Sequence, residues 1–248
     1  MEIINTEGIV LGEVNYSESS KILKVFTKDY GLISIMSKGC RNLKSKLRGV
    51  SNKLSYARFS FNYKKDGIST LISADIINTL RNIMTDINRI SYTSYLLDLT
   101  EQVYKHSQEE EIYPLLISIL LKINDGYDYE ALTAIYELKL LDYLGIRPNI
   151  DGCSICGSSK NILTISTSEG GYICQNCYHG GKIYTNKTVQ LIRLFFYLDV
   201  SQISKLEIKE ETKKELNEFI HEYYDDYSGL YLKSRDFLKN LMKIDSKE

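Results

Sequence analysis

Residues 153 to 177 read CSICGSSKNILTISTSEGGYICQNC, and this stretch decides how the rest of the chain is read. Four of the five cysteines fall here, at Cys153, Cys156, Cys174 and Cys177, in the pattern C-x2-C-x17-C-x2-C. Two thiolates separated by two residues can wrap one metal ion in a tight turn, and two such knuckles supply a closed tetrahedral sulfur shell. Gly157 and the pair Gly170, Gly171 give the backbone the freedom such turns need. Ile162 to Ile165 and then Tyr172 with Ile173 are short β-prone runs, so a hairpin can carry the second knuckle back to the first. The pattern predicts a zinc ribbon over residues 150–184 with one structural Zn2+ per chain. Free thiols or two disulfides are the competing readings. Four coordinated thiolates leave no open position for an activated water, so the metal is expected to hold structure and do no chemistry. The H-x-E and P-C-x-x-C pair of zinc deaminases is missing. His179, just after Cys177, reads as an exposed loop residue.

The remaining composition is that of an ordinary globular chain of two or three small domains: 248 residues, 43% hydrophobic, 25% charged and two prolines. No apolar run approaches the ~18 residues of a membrane span, and no basic-then-apolar signal peptide opens the sequence, so a cytoplasmic protein is expected. In that reducing compartment paired cysteines favour metal over disulfide.

A formal net charge of -1 hides an asymmetry. Residues 1–80 hold 12 Lys and Arg against 7 Asp and Glu, and residues 81–248 hold 19 against 25. Nine basic residues lie between Lys38 and Lys65 with no acid before Asp66. On run length alone such a segment is as much a solvated face as a polyanion site.

Residues 1–80 read as β. Ile3, Ile4 and then Ile9, Val10, Leu11 form a first strand bent at Gly8 and Gly12; Lys21 to Thr27 alternates; Asp29, Tyr30 and Gly31 turn into Leu32 to Ser37. Arg58, Ser60, Asn62 and Lys64 alternate with Phe59, Phe61 and Tyr63, a half-buried strand whose aromatics belong to the core. Asp66-Gly67 turns into Ile68 to Ile72. Five short strands with a basic loop between the third and fourth predict a small closed barrel of the OB type. From Arg81 the period becomes about 3.6. One long helix is expected through Ile83, Ile87, Ile90, Leu96, Leu99 and Val103, a second through Ile112 to Ile123, and a nearly all-apolar third through Leu132 to Leu144 at the centre of a bundle. Beyond the ribbon come a helix over Val189 to Leu198, another opened by a Thr212/Glu215 capping box, and a last over about Leu230 to Leu241. The fold class is thus α+β and multidomain: an OB-fold domain over 1–80, then an all-α domain over 81–248 with the four-cysteine ribbon inserted.

Phosphate-loop, dinucleotide, nucleophile-elbow and zincin motifs are absent, so a non-enzymatic protein without a small-molecule substrate is expected. Cys40, alone in the basic segment, reads as a small loop residue. The run Glu7-Gly-Ile-Val-Leu11, Phe26-Thr-Lys-Asp-Tyr-Gly31, Lys38-Gly-Cys-Arg-Asn42, Lys44-Ser-Lys-Leu-Arg48, Leu144-Gly-Ile-Arg-Pro148, the cysteine module and Leu232-Lys-Ser-Arg-Asp-Phe-Leu238 together resemble the RecO family of bacterial DNA repair and recombination mediators over nearly the whole length. The resemblance implies binding to single- and double-stranded DNA, annealing of complementary strands, partnership with RecR, help to RecA in displacing single-strand-binding protein, and a nucleoid-associated, cytoplasmic location. For the DNA face the residues themselves point to Lys38, Arg41, Lys44, Lys46 and Arg48, with Arg58 and Lys64 in second rank, because Lys and Arg neutralise phosphates. Lys139 and Arg147 are considered as clamps for an acidic tail of single-strand-binding protein, without commitment. A zinc-ribbon nucleic-acid-binding adaptor acting on RNA or in transcription is the alternative.

Overall fold

The computed structural model describes residues 2–231 together with Ser234, Arg235 and Leu238. Its chain divides into two units, Met1–Asn124 and Asp125–Glu248.

The first unit is built on β1 (Ile3–Tyr16), whose length is explained by its two partners. Its first half pairs antiparallel with β4 (Tyr56–Asn62) and its second half with β2 (Ser20–Thr27), with an irregularity between Val10 and Gly12 where the strand turns from one to the other. At Gly8, where both pairings overlap, an added Cβ would stand 2.9 Å from Val25 Cγ1 and 3.0 Å from the Phe26 carbonyl oxygen, so the strands approach too closely for any side chain. β2 pairs with β3 (Gly31–Ser37), β3 runs parallel to β5 (Ser69–Asn78), and β5 returns to β4, closing a barrel in the order β1-β2-β3-β5-β4. Inward side chains follow the period of two: Ile4, Val10, Leu23, Val25, Ile35, Ala57, Phe59, Phe61 and Leu71 form one buried cluster. Each fully buried Phe contributes about 1.5–3 kcal/mol by leaving water.

Phe26 points the other way, to the rings of Tyr104 and Tyr113 with centroids 4.7 and 5.4 Å away. Those tyrosines belong to α2 (Ile87–Ser107) and α3 (Ile112–Asn124), which complete this unit with the short α1 (Arg81–Met84). The single helix expected from Ile83 onward is therefore two. Asp86 adopts an extended backbone, and its carboxylate accepts from the N–H groups of Asn88 and Arg89, so it caps a new helix instead of continuing the old one.

In the second unit, α4 (Tyr129–Tyr143) buries every residue from Ala131 to Leu138 and packs against α5 (Asn186–Tyr197) and α6 (Glu210–Tyr227). The Tyr224 hydroxyl of α6 donates to the Glu137 carbonyl at 2.8 Å. Lys213 of α6 meets Asp128, Glu130 and Glu210 at 2.7, 3.1 and 2.8 Å. Burial would lower its pKa, but the three carboxylates prevail and raise it. The expected Thr212/Glu215 capping box does not form. Lys209 is the N-cap of α6, and Glu215 instead accepts from the Thr185 N–H at 3.1 Å, the Thr185 hydroxyl at 2.7 Å and the Thr188 hydroxyl, serving the N-terminus of α5. Thr185 itself caps α5, its hydroxyl accepting from the Thr188 N–H at 3.4 Å, and the Glu215 carboxylate satisfies the N–H of that cap at the positive end of the helix. Of the last expected helix, about Leu230 to Leu241, only Leu230 and Tyr231, which are not helical, and Ser234, Arg235 and Leu238 are among the described residues; the rest lies outside them.

Gly31 gives the test of packing in the first unit. Its φ of +62° favours glycine, and an added Cβ would overlap the Tyr104 ring, lying 2.8 Å from Cζ. Gly31→Ala is expected to cost at least about 2 kcal/mol. In a Tyr104→Ala background, urea unfolding should show that penalty falling to the ~1–2 kcal/mol of backbone strain alone. An unchanged penalty would mean that the ring does not demand glycine.

Candidate nucleic-acid interface and metal centre

The chain leaves β3 at Ser37 and reaches β4 at Tyr56 through a loop of consecutive turns. Asn42, Ser45 and Arg48 donate their N–H groups to the carbonyls three residues back, at 3.1, 3.0 and 3.2 Å, and Gly39 with φ +66° starts the series. Apolar residues spaced through the loop face inward. Cys40, Val50 and Leu54 are buried, and Leu47 packs on the barrel cluster. Leu54 holds a left-handed φ of 70° while its N–H bonds the Val10 carbonyl at 2.9 Å and Ser55 accepts from the Val10 N–H at 3.0 Å. At the other end Arg41 N–H donates to the Ser19 carbonyl at 2.9 Å, and the Ser37 and Ser51 hydroxyls meet at 2.8 Å. The loop is therefore pinned at both ends and in the middle.

Lys38, Arg41, Lys44, Lys46 and Arg48 all stand exposed on this pinned loop. Arg41 donates one guanidinium N–H to the Ser17 carbonyl at 3.2 Å. Among the described residues none of the five makes an ion pair with an acid. Arg58 and Lys64 are placed differently. On β4, Arg58 sits between Glu7 of β1 and Asp75 of β5 in register and pairs with Glu7 at 3.1 Å, so its charge is locally offset. Lys64 lies just past β4, its N–H donating to the Ser69 hydroxyl at 3.2 Å, and so belongs to the β4–β5 connection and not to the cationic loop. Leu47, Val50 and Leu54, absent from the residues expected to build this surface, are its anchors. Their signal was there, as isolated apolar residues inside a cationic run.

In the second unit the cysteines converge. The ligating atoms of Cys153, Cys156, Cys174 and Cys177 all lie within 4.8 Å of one another. The Sγ atoms of Cys156 and Cys174 are 3.7 Å apart, against the ~3.8 Å edge of a tetrahedron with bonds of about 2.3 Å. The first knuckle is tied by Gly157 N–H to Cys153 O at 2.8 Å and Cys153 N–H to Ser158 O at 2.9 Å. A Cβ on Gly152 would come within 2.6 Å of the Gly157 carbonyl oxygen. The second knuckle leaves the hairpin of β6 (Ile162–Ser166) and β7 (Gly171–Cys174). Tyr172 donates its hydroxyl to Val189 O of α5 at 2.6 Å and Tyr227 of α6 to Thr167 O at 2.8 Å, which seats the ribbon on its helices. His179 is exposed and outside the thiol group. Lys139 and Arg147 are already engaged. Lys139 donates to Phe196 O at 2.9 Å, and Arg147 donates to the Tyr197 hydroxyl at 2.7 Å and lies over both rings.

Residues 1–80 match the family model described as Recombination protein O N terminal, and residues 84–236 match that described as Recombination protein O C terminal. The chain belongs to the RecO family. The DNA repair protein RecO of Halalkalibacterium halodurans is 39% identical over 243 residues, 95% of this chain and 94% of that one. That of Listeria monocytogenes is 36% identical over 250 residues, 97% and 98% of the two chains, and that of Bacillus pumilus 32% over 246 residues, 96% and 94%. The first RecO model covers all five barrel strands, and the second covers α2 to α6 with the four cysteines. No helix among the described residues is long and apolar enough to cross a membrane.

Cys174→Ser removes one of the two buried thiols of the group. Elemental analysis should then find metal well below the one ion per chain expected of the unaltered protein. The ribbon should lose its fold while the barrel's urea transition persists, because each unit buries its own core. Wild-type metal content in the variant would contradict the four-thiol shell.

Proposed function

We propose that this chain is a DNA-binding recombination mediator of DNA repair that works by holding strands, without bond chemistry of its own. The reading is carried by one observation: five cations, Lys38, Arg41, Lys44, Lys46 and Arg48, displayed without an acid partner among the described residues on a loop whose backbone is fixed. Cations at the end of rigid turns can track phosphates without reading bases, since phosphate contacts position a duplex or strand and carry no sequence information. Neutralising the backbone charge of two complementary strands lets them approach, which supports annealing as the activity. RecO relatives are named for DNA repair, and on that likeness the chain is assigned RecR as partner and the loading of RecA onto DNA coated by single-strand-binding protein as task, in the cytoplasm at the nucleoid. The metal is proposed to be zinc. Four thiolates in C-x2-C knuckles suit its tetrahedral preference, and a filled shell gives it a structural role. Single- and double-stranded DNA are both ligands, with the five loop cations as main contacts and Arg58 and Lys64 as outlying ones.

Each phosphate neutralised on a single strand contributes about -0.7 to the slope of log affinity against log salt. Changing Lys44, Lys46 and Arg48 together to Ala should flatten that slope by roughly two units, weaken binding to unrelated sequences alike, and slow ATP-independent annealing. Wild-type affinity and slope in the triple variant would show that the loop is only a solvated face.

A further inference from the structure

Leu43 is at odds with the other apolar residues of its loop. Cys40, Leu47, Val50 and Leu54 turn inward, whereas Leu43 is 82% exposed, the highest value for a large hydrophobic residue among those described. A lone exposed leucine is ordinary on a protein surface. Its setting here is not, because Arg41 precedes it by two residues, Lys44 follows at once, and no acid lies between Lys38 and Lys65. Turn bonds on either side, Asn42 N–H to Gly39 O at 3.1 Å and Ser45 N–H to Asn42 O at 3.0 Å, fix the backbone that projects it. The β1–β2 turn is docked on Arg41 through Ser17 and Ser19, and Tyr16, the last residue of β1 before that turn, presents an exposed aromatic ring at 50%. An apolar tip ringed by cations is complementary to a ligand that combines negative charge with flat apolar faces, and nucleic acid combines phosphates with bases. An apolar protein surface would leave the surrounding cations without partners.

We propose that Leu43 is a wedge that contacts base faces, with Tyr16 as a stacking surface beside it, and that the ligand class of this loop is DNA at a junction of paired and unpaired bases. The proposal rests on the reading of the loop as the DNA interface and deepens it. Apolar side chains such as Leu enter base steps and unstack them, while aromatic rings stack on freed bases, at little cost where a base is already unpaired. Cations hold the backbone; Leu43 opens the terminal step.

The test uses the full chain and a DNA hairpin with a single-stranded tail, carrying 2-aminopurine at the pair next to the junction. Binding of the unaltered protein should raise the fluorescence as the base unstacks. Leu43→Ser should shrink that rise at saturation at least about twofold while the salt slope of binding stays at the wild-type value, and Leu43→Met should preserve the rise. A full rise with Leu43→Ser, or an equal loss with Leu43→Met, overturns the wedge while leaving the phosphate contacts in place. Absence of DNA binding by the unaltered chain overturns the wedge and the DNA reading together.

Discussion

Closure of the barrel along β1 is the constraint from which the candidate interface follows. Because β4 pairs with β1 and β5, and β3 pairs with β2 and β5, the chain must cross from one to the other between Ser37 and Tyr56. A crossing segment of that length has many backbone groups to satisfy and little regular structure to do it with. Consecutive turns, the bonds to Val10 and Ser19, and the buried side chains of Cys40, Leu47, Val50 and Leu54 meet that need. The cations between those anchors have no buried acid to pair with, and an unpaired charge is far too costly to bury, so they face water. Anchoring and display are thus two results of one arrangement, seen most clearly where Leu47 packs inward between exposed Lys46 and Arg48.

The ribbon answers a different need. Its own buried cluster is Cys153, Ile173 and Cys174 with Ile162, Cys177 and Tyr178 packed around them. So small a core stabilises little, and three of its members are metal-site thiols, so a bound ion contributes folding free energy directly. Hydrogen bonds from Tyr172 and Tyr227, with Glu215 bridging to Thr185 and Thr188, hold the ribbon and the start of α5 to the helices. Burial opposes ionisation of Glu215, but the two threonines outweigh it and keep the carboxyl below its usual range.

What could be read in the sequence was whatever depends on local period or spacing. Alternation of Phe59 and Phe61 with Arg58 and Ser60 gave away a strand with one buried face, and the cysteine spacing gave away convergence that the hairpin then delivers. What could not be read depends on partners distant along the chain. Asp86 looks like one more polar residue on a long helix until its backbone is seen to be extended. Thr212 and Glu215 have the spacing of a cap, yet Glu215 is drawn to a helix 30 residues upstream in sequence. Arg58 and the loop cations look alike in sequence, but only the barrel register sets Glu7 and Asp75 on either side of Arg58. Lys139 and Arg147, equally, cannot be known to be occupied before Phe196 and Tyr197 are placed beside them.

The formal charge of -1 would argue against a polyanion ligand if charge were spread evenly. It is local potential that matters at a surface within one Debye length, about 8–10 Å at ordinary salt. Lysine footprinting measures that locality directly. Acetylation of the intact protein with and without saturating single-stranded oligonucleotide, read residue by residue by mass spectrometry, should show Lys38, Lys44 and Lys46 shielded several-fold by DNA. Reactivity should return as salt is raised, with Lys105 and Lys122 unchanged throughout. Loop lysines equally reactive with and without bound DNA, and shielding confined to lysines of Asp125–Glu248, would contradict the account.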